Sequence, residues 1–227
     1  MCKQRSIGSR GQRGFTLVEL LVVIGLLGLL FVVLLPLVTE SEQQAKRGQC
    51  QVLVEQAVAA AKGYANQRST GGAGDFPPDD YRDTRGKIKI SRGNDYNVGI
   101  ESFVFFVNRS DSADQRFPER DDFLGNTDED QAEQPIGKLE QVERLELVDP
   151  WGNPLAYFHF RSYARGEQTY RLGEAGEGVD EDQPVMPWKS GARFLNPRTF
   201  QIFSAGPNGI YNDDDDIGNF KIPESDG

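Results

Sequence analysis

The chain has 227 residues, of which 37% are hydrophobic, and a formal net charge of −10 at pH 7. This length suffices for a membrane segment and one globular domain with its own core. The excess of 35 acidic over 25 basic residues excludes nucleic acid as a partner, because phosphate binding requires a basic surface.

The first predicted element is a basic segment followed by a long apolar run. Residues 1–14 contain no acid and four basic residues, Lys3, Arg5, Arg10 and Arg13. A helix over residues 15–38 would be roughly 36 Å long, enough to cross a hydrocarbon core of about 30 Å. Since basic flanks stay inside, residues 1–14 are predicted to be cytoplasmic and the C-terminal domain to lie outside the cytoplasmic membrane. The sequence therefore predicts a single-pass membrane protein.

A secretory signal peptide is the first alternative for this segment. Its apolar region would have about 7 to 15 residues, followed by a small-residue cleavage site. Here the run is longer, and polar residues follow it from Thr39. The small residue that could be a processing point, Gly14, precedes the run. Cleavage after Gly14 would leave the membrane helix on the mature chain.

One carboxylate, Glu19, lies inside the apolar segment. An unpaired carboxylate in a membrane costs a few kcal/mol and usually indicates a function or a specific partner. The alternative is an interfacial glutamate that water and the helix dipole tolerate.

The junction around Gly14 and Phe15 resembles the processing site of type IV pilins and of the pseudopilins of type II secretion. The resemblance implies that prepilin peptidase cleaves between Gly14 and Phe15 and methylates the new N-terminus of Phe15. It places Glu19 at the fifth mature position, where its carboxylate would neutralise the terminal ammonium of a neighbouring subunit. It places Pro36 where many members have a helix-bending proline, so that a bend or local melting is expected there.

Beyond the membrane the helix is predicted to continue as an amphipathic stem over residues 39–66 and to end before Gly71. The apolar residues with helical spacing are Leu53, Val54, Ala57, Val58, Ala60, Ala61 and Tyr64. A second helix is predicted over residues 98–108, with a strand over residues 102–107 as the alternative. Loss of Cys2 with the leader would leave Cys50 without an intrachain disulfide partner.

Residues 67–227 are predicted to form the globular domain. Strand composition occurs at residues 145–149, 155–160 and 199–203. Residues 110–134 are predicted to be a mobile acidic insertion, and residues 162–196 a long hairpin insertion. The predicted fold class is α+β and pilin-like, in which the long membrane-spanning helix continues into a stem packed on a small antiparallel β-sheet domain.

The C-terminal loop, residues 203–220, joins a glycine-rich turn to four consecutive aspartates. Ca²⁺ takes about six to eight oxygens from carboxylates, amides and carbonyls, and this loop offers all three. It is not an EF-hand, because the alternating ligand spacing is absent. A solvated or disordered acidic run is the alternative. Apolar residues around the acids favour a folded loop: Ile210, Tyr211, Ile217 and Phe220.

Residues 148–154 and 204–219 resemble the C-terminal half of the major (G-type) pseudopilin of type II secretion, which binds Ca²⁺ in this loop. The resemblance implies carbonyl ligands near Phe203 and Ser204, and Asn208 where the family usually has an aspartate. Further ligands would come from the four consecutive aspartates, and the resemblance does not select among Asp213, Asp214, Asp215 and Asp216.

No enzymatic motif is present, and the only histidine, His159, lies in an aromatic context that favours a packing role. The resemblance implies a non-enzymatic subunit of a type II secretion pseudopilus, anchored in the inner membrane with its C-terminal domain in the periplasm. Its partners would be prepilin peptidase, further copies of itself, other pseudopilins and the inner-membrane assembly platform. The alternatives are a type IV pilin or minor pseudopilin, serving adhesion, DNA uptake or filament initiation, and a membrane-anchored binding protein that never polymerises.

Overall fold

The computed structural model describes residues 15–66, 75–80, 93–109, 123–131, 143–173 and 178–223, without the side chains of residues 33–38. The chain divides into two compact units, Met1–Gln43 and Gln44–Gly227. The predicted leader, residues 1–14, and the predicted helix-ending glycines at Gly71 and Gly72 lie outside the described residues.

One long helix, α1 (Leu17–Asn66), confirms the predicted helix. It is continuous through position 36, so local melting there is not observed and the bend expected at Pro36 stays a prediction. In the second unit, α1 buries the face that its apolar spacing predicted. The buried residues of that face are Cys50, Leu53, Val54, Ala57, Ala60, Ala61 and Tyr64.

The second helix, α2 (Val98–Asn108), has the predicted bounds, so the strand alternative is wrong. It follows Asn97, whose backbone is left-handed with a φ of 51°. Residues 99–108 are all buried, which explains why this helix is apolar around its circumference rather than along one stripe. The one acid within it, Glu101, is buried as well.

Short strands complete the second unit. In chain order they are β1 (Leu124–Gly125), β2 (Glu146–Leu147), β3 (Ala156–His159), β4 (Gln168–Arg171), β5 (Asp182–Val185), β6 (Lys189–Ser190), β7 (Arg193–Phe194), β8 (Phe200–Ser204) and β9 (Ile217–Gly218). An antiparallel sheet has the order β3-β8-β9, and three two-stranded antiparallel sheets join β1 to β2, β4 to β5 and β6 to β7. The central register pairs Tyr157 with Ile202.

A shared core joins α1, α2 and the β3-β8-β9 sheet. The fully buried Tyr157 donates its hydroxyl to the Pro77 carbonyl at 2.6 Å, and its ring lies 4.7 Å from that of Phe103 on α2. The fold class is therefore α+β and pilin-like, as the sequence predicted, with a long N-terminal helix followed by small antiparallel sheets.

The two predicted insertions differ. Residues 162–196 contain two short hairpins, β4-β5 and β6-β7, in place of the one long hairpin that was predicted. The prediction that residues 110–134 form a mobile segment is wrong for residues 123–131, which include β1 and bury Asp128 and Asp130. The composition suggested solvated acids, but tertiary contacts hold these carboxylates. Residues 110–122 and 132–134 lie outside the described residues.

A matched pair of glycine substitutions tests the packing of α2. A β-carbon at Gly99 would lie 2.4 Å from the Tyr157 carbonyl oxygen, whereas one at Gly48 on α1 would meet nothing within 4 Å. Gly99→Ala should therefore lower the free energy of unfolding by about 2 kcal/mol through overpacking. Gly48→Ala should raise it by roughly 0.5–1 kcal/mol, because alanine favours an exposed helix. Thermal unfolding of the full chain in detergent measures both, and equal effects would contradict the packing described at Gly99.

Candidate functional site

A capping box links Thr16 and Glu19 at the start of α1. The Thr16 backbone N–H and hydroxyl donate to Glu19 Oε2 at 3.0 and 2.9 Å. The Glu19 backbone N–H donates in return to Thr16 Oγ1 at 3.2 Å. This exchange satisfies backbone donors that a helix N-terminus otherwise leaves without partners. Glu19 thus has a partner in its own chain. This supports the alternative of a glutamate stabilised at the start of the helix, and it leaves room for a second role in an assembly.

The large apolar side chains described between Phe15 and Val32 are exposed, and Phe15 reaches 83% exposure. An apolar surface of this extent is typical of a segment that contacts a membrane or other apolar helices.

Among the described residues, no helix is both long and apolar enough to span a membrane.

The C-terminal loop is folded, so a disordered acidic run is excluded for its described residues. Phe203 and Ser204 are buried in β8, opposite Gly218 and Ile217 of β9. The Ser204 hydroxyl donates to Asp149 Oδ2 at 2.5 Å and accepts the Gly206 backbone N–H at 2.9 Å. The two residues predicted to give carbonyl ligands therefore form the rigid base of the loop.

Asn208 and Asp213 lie against each other above this base. Asn208 Nδ2 donates to Asp213 Oδ2 at 2.7 Å, and the Asp215 backbone N–H donates to Asp213 Oδ1 at 3.2 Å. Asp214 is exposed. The structure therefore brings together Asn208, Asp213 and Asp215, while Asp214 is exposed to solvent.

Asp215 and Asp216 each bury an oxygen, Oδ1, that has no hydrogen-bond partner. Asp215 lies 3.8 Å from the Arg47 guanidinium. Asp216 is 5% exposed, and its Oδ2 accepts hydrogen bonds from Trp188 Nε1 at 2.8 Å and from the Asn212 backbone N–H at 3.0 Å. These two oxygens are the loop's unsatisfied acceptors.

Burial and mutual repulsion disfavour the charged forms of these two acids. Burial raises the pKa of Asp216 to about 8, and the charges of Asp213 and Asp215 add to the effect. Burial raises the pKa of Asp215 to about 7, with Asp213 contributing further. A proton or a cation would relieve this unfavourable charge. The donor set is oxygen-only, so the residues present fit a hard cation such as Ca²⁺.

A second group of acids was not identified from the sequence. Carboxylate oxygens of Glu101, Asp128 and Glu146 lie within 4.8 Å of one another, and among the described residues no other three acidic, histidine or cysteine side chains lie this close. The three residues are buried. The only signal in the sequence was an acid at Glu101 within an otherwise apolar helix, and Asp128 falls in the segment predicted to be mobile.

His159 is held by neighbours on both ring nitrogens. Its Nδ1 accepts the Arg161 backbone N–H at 3.2 Å, so Nε2 carries the proton that faces Asp75 Oδ1 at 3.0 Å. The ring is 4% exposed and lies 4.6 Å from that of Phe160. These contacts agree with the packing role predicted for it.

Comparison with known proteins identifies the N-terminal segment. Residues 9–35 match the family model of the prokaryotic N-terminal methylation motif. The matched range includes Gly14, Phe15 and Glu19 and ends one residue before Pro36. No curated protein and no solved structure matches the chain. The prepilin-type motif indicates a pilin-like protein that prepilin peptidase processes, and it suggests a structural rather than an enzymatic role.

Proposed function

We propose that this chain is a structural subunit of a type II secretion pseudopilus, which polymerises to drive protein export across the outer membrane. The observation that carries the proposal is the prepilin-type methylation motif over residues 9–35. The assignment to type II secretion rests on the likeness of residues 148–154 and 204–219 to the major pseudopilin.

The exposed apolar surface between Phe15 and Val32 supports an anchoring and assembly role for residues 15–38. Such a surface is stabilised by a bilayer before assembly and by neighbouring helices afterwards. In this proposal the second unit, Gln44–Gly227, lies in the periplasm.

Glu19 has two uses in this proposal. In the single subunit its Oε2 accepts both Thr16 donors and caps α1, while Oε1 takes part in none of these bonds. Cleavage after Gly14 would convert the Phe15 nitrogen into a charged amine. In a helix bundle the Glu19 carboxylate would neutralise this amine on a neighbouring subunit and fix the register between subunits.

Two variants separate the cap from the proposed pairing. Glu19→Gln keeps an oxygen that can accept from Thr16 but removes the charge, so we expect normal membrane insertion and loss of filament assembly. Thr16→Ala removes the side-chain cap and keeps the charge, so we expect a helix weaker by about 1 kcal/mol and retained assembly. Filaments are measured by shearing and electron microscopy, and assembly is compared at equal subunit levels.

The intact mass of the subunit is the control for this comparison, because each variant must still begin with N-methyl-Phe15. Assembly by Glu19→Gln at the level of the unsubstituted chain would contradict the pairing and favour a membrane-anchored binding protein. Loss of secretion on deletion of the gene supports a pseudopilus. Loss of adhesion or DNA uptake with secretion intact would instead favour a type IV pilin, which shares the N-terminal motif.

We further propose that the C-terminal loop binds Ca²⁺ through Asn208, Asp213, Asp215 and Asp216, above the base formed by Phe203 and Ser204. Binding would draw the three aspartates together, since their carboxylates do not all lie within 4.8 Å of one another in this structure. The buried Oδ1 atoms of Asp215 and Asp216, which have no hydrogen-bond partner, support this proposal. A bound cation would offset the repulsion among these carboxylates and lock the loop between β8 and β9.

Neighbouring aspartates provide a matched test of the calcium proposal. Asp215→Asn should lower the calcium affinity of the loop at least tenfold and reduce the rise in unfolding temperature on adding Ca²⁺. Asp214→Asn should change neither, because Asp214 is exposed. Calcium titration of the EGTA-treated full chain in detergent measures both. Equal behaviour of the two variants would remove this loop as a calcium site.

The stability of calcium-stripped protein should fall as the pH rises from 5 to 8. The pKa values of Asp215 and Asp216 are raised to about 7 and 8, so the folded protein binds more protons than the unfolded chain between about pH 4 and pH 8. We expect the unfolding temperature to drop by about 5 °C or more across this window, and by less with Ca²⁺ present. A flat or rising profile in the stripped protein would contradict the unfavourable charge described in the loop.

A further inference from the structure

Three carboxylates from separate parts of the chain meet inside the second unit. Glu101 belongs to the first turn of α2, Glu146 to β2, and Asp128 to the loop that follows β1. One carboxylate oxygen from each lies within 4.8 Å of those of the other two. Oxygens that share one Ca²⁺ ion lie at most about 5 Å apart, since each is about 2.3–2.6 Å from the ion. The spacing therefore suits a common ion.

Asp128 provides the observation that points to a ligand. The residue is 7% exposed, and its Oδ1 accepts the Asp130 backbone N–H at 3.3 Å. Its other oxygen, Oδ2, is buried and has no hydrogen-bond partner. A buried carboxylate oxygen without a partner is costly, because desolvation is not compensated.

Glu146 is held rigidly by neutral donors. Its Oε1 accepts from Asn97 Nδ2 at 2.8 Å, while its Oε2 accepts from the Thr127 backbone N–H at 3.1 Å and the Thr127 hydroxyl at 2.6 Å. Asn97 is itself fixed, since its Oδ1 accepts the Arg171 backbone N–H at 2.8 Å. Thus Glu146 is oriented before any ligand binds, and none of these donors neutralises its charge.

Two arginines near these acids have ion-pair partners of their own, and the charge of Arg171 also acts on Asp128. Arg144 Nε lies 3.8 Å from Asp130 Oδ2. Arg171 donates to both oxygens of Asp182, at 2.7 and 3.0 Å. Three carboxylates this close to one another repel when they are ionised, and a cation would reduce that repulsion.

We infer that Glu101, Asp128 and Glu146 bind one divalent cation, Ca²⁺, separate from the C-terminal loop. The ligand set contains only oxygen, which suits a hard cation and lacks the nitrogen and sulfur ligands that zinc prefers. Of the three acids, Asp128 lines a cavity of about 230 Å³ together with Thr127, Glu129 and Arg171, which gives the site an approach from this side.

The bound cation would fasten residues 123–131 to α2 and β2. Residues 123–131 are already held by two β1-β2 residue pairs, by the isolated bridge between Gln131 and Glu143, and by the hydrogen bonds from Thr127 to Glu146. A shared ion adds a link from Asp128 to two elements of the core. The site is independent of the proposed secretion function, because it concerns the second unit alone.

Calcium binding by the full chain in detergent tests this inference, with Asp215→Asn as the background so that the C-terminal loop does not contribute. We expect this background to retain one bound Ca²⁺ per chain. Adding Asp128→Asn should lower the remaining affinity at least tenfold and abolish the Ca²⁺-dependent rise in unfolding temperature. Adding Glu129→Gln, at the adjacent exposed carboxylate, should change neither quantity.

A circular dichroism spectrum establishes that each variant is folded, and Glu101→Gln replaces Asp128→Asn if the latter is not. Unchanged calcium binding in the folded variant would overturn the inference. A second result would also overturn the inference: the Asp215→Asn chain binds no Ca²⁺, and adding Asp128→Asn raises its unfolding temperature without Ca²⁺. The three acids would then share a proton rather than an ion.

Discussion

The burial of carboxylates in an acidic chain is the constraint on which the second unit depends. Taking an ionised carboxylate out of water costs several kcal/mol unless donors or a counter-charge replace the solvent. Asp149 meets this constraint with donors: the Trp151 and Asn153 backbone N–H groups at 2.9 and 3.0 Å and the Ser204 hydroxyl. The turn after β2 is thereby fixed to β8. Here hydrogen-bond donors replace the solvent around the carboxylate, so that no bound ion is needed to stabilise it.

Two other groups of acids in the second unit keep buried carboxylate oxygens that have no hydrogen-bond partner. At the C-terminal loop Asp216 has two donors on one oxygen and none on the other. At the internal site, which is formed by Glu101, Asp128 and Glu146, Glu146 has donors on both oxygens. Asp128 beside it keeps a buried oxygen without a hydrogen-bond partner. Both places differ from Asp149 in bringing acids against other acids. Hydrogen bonds satisfy single carboxylates, whereas only protons or cations reduce the repulsion between them.

The helices could be predicted from the sequence because their signals are local. The period of apolar residues gave the bounds of α2 and the buried face of α1, where Leu53 and Ala57 lie. The internal site could not be predicted in this way, since Glu101, Asp128 and Glu146 are far apart in the chain and meet only through tertiary packing. Composition even argued against it, because Asp128 lies in an acidic stretch that looked solvated. The C-terminal loop was found because its acids are consecutive.

The carboxylate of Glu19 illustrates why a motif alone leaves its physical role open. Glu19 lies within the matched methylation motif, four residues after Phe15, and it is also the third residue of α1, where a glutamate completes a capping box with Thr16. One residue can therefore stabilise the helix of a single subunit and remain suited to a neighbour's amine in an assembly. In the proposed assembly the neighbour's amine and the Thr16 donors would compete for the Glu19 carboxylate, so pairing with the amine must be more favourable than the hydrogen bonds from Thr16 that it would weaken. An amine in an apolar bundle meets that condition, because a charge that water no longer solvates binds an opposite charge far more strongly than an exposed hydroxyl or amide does.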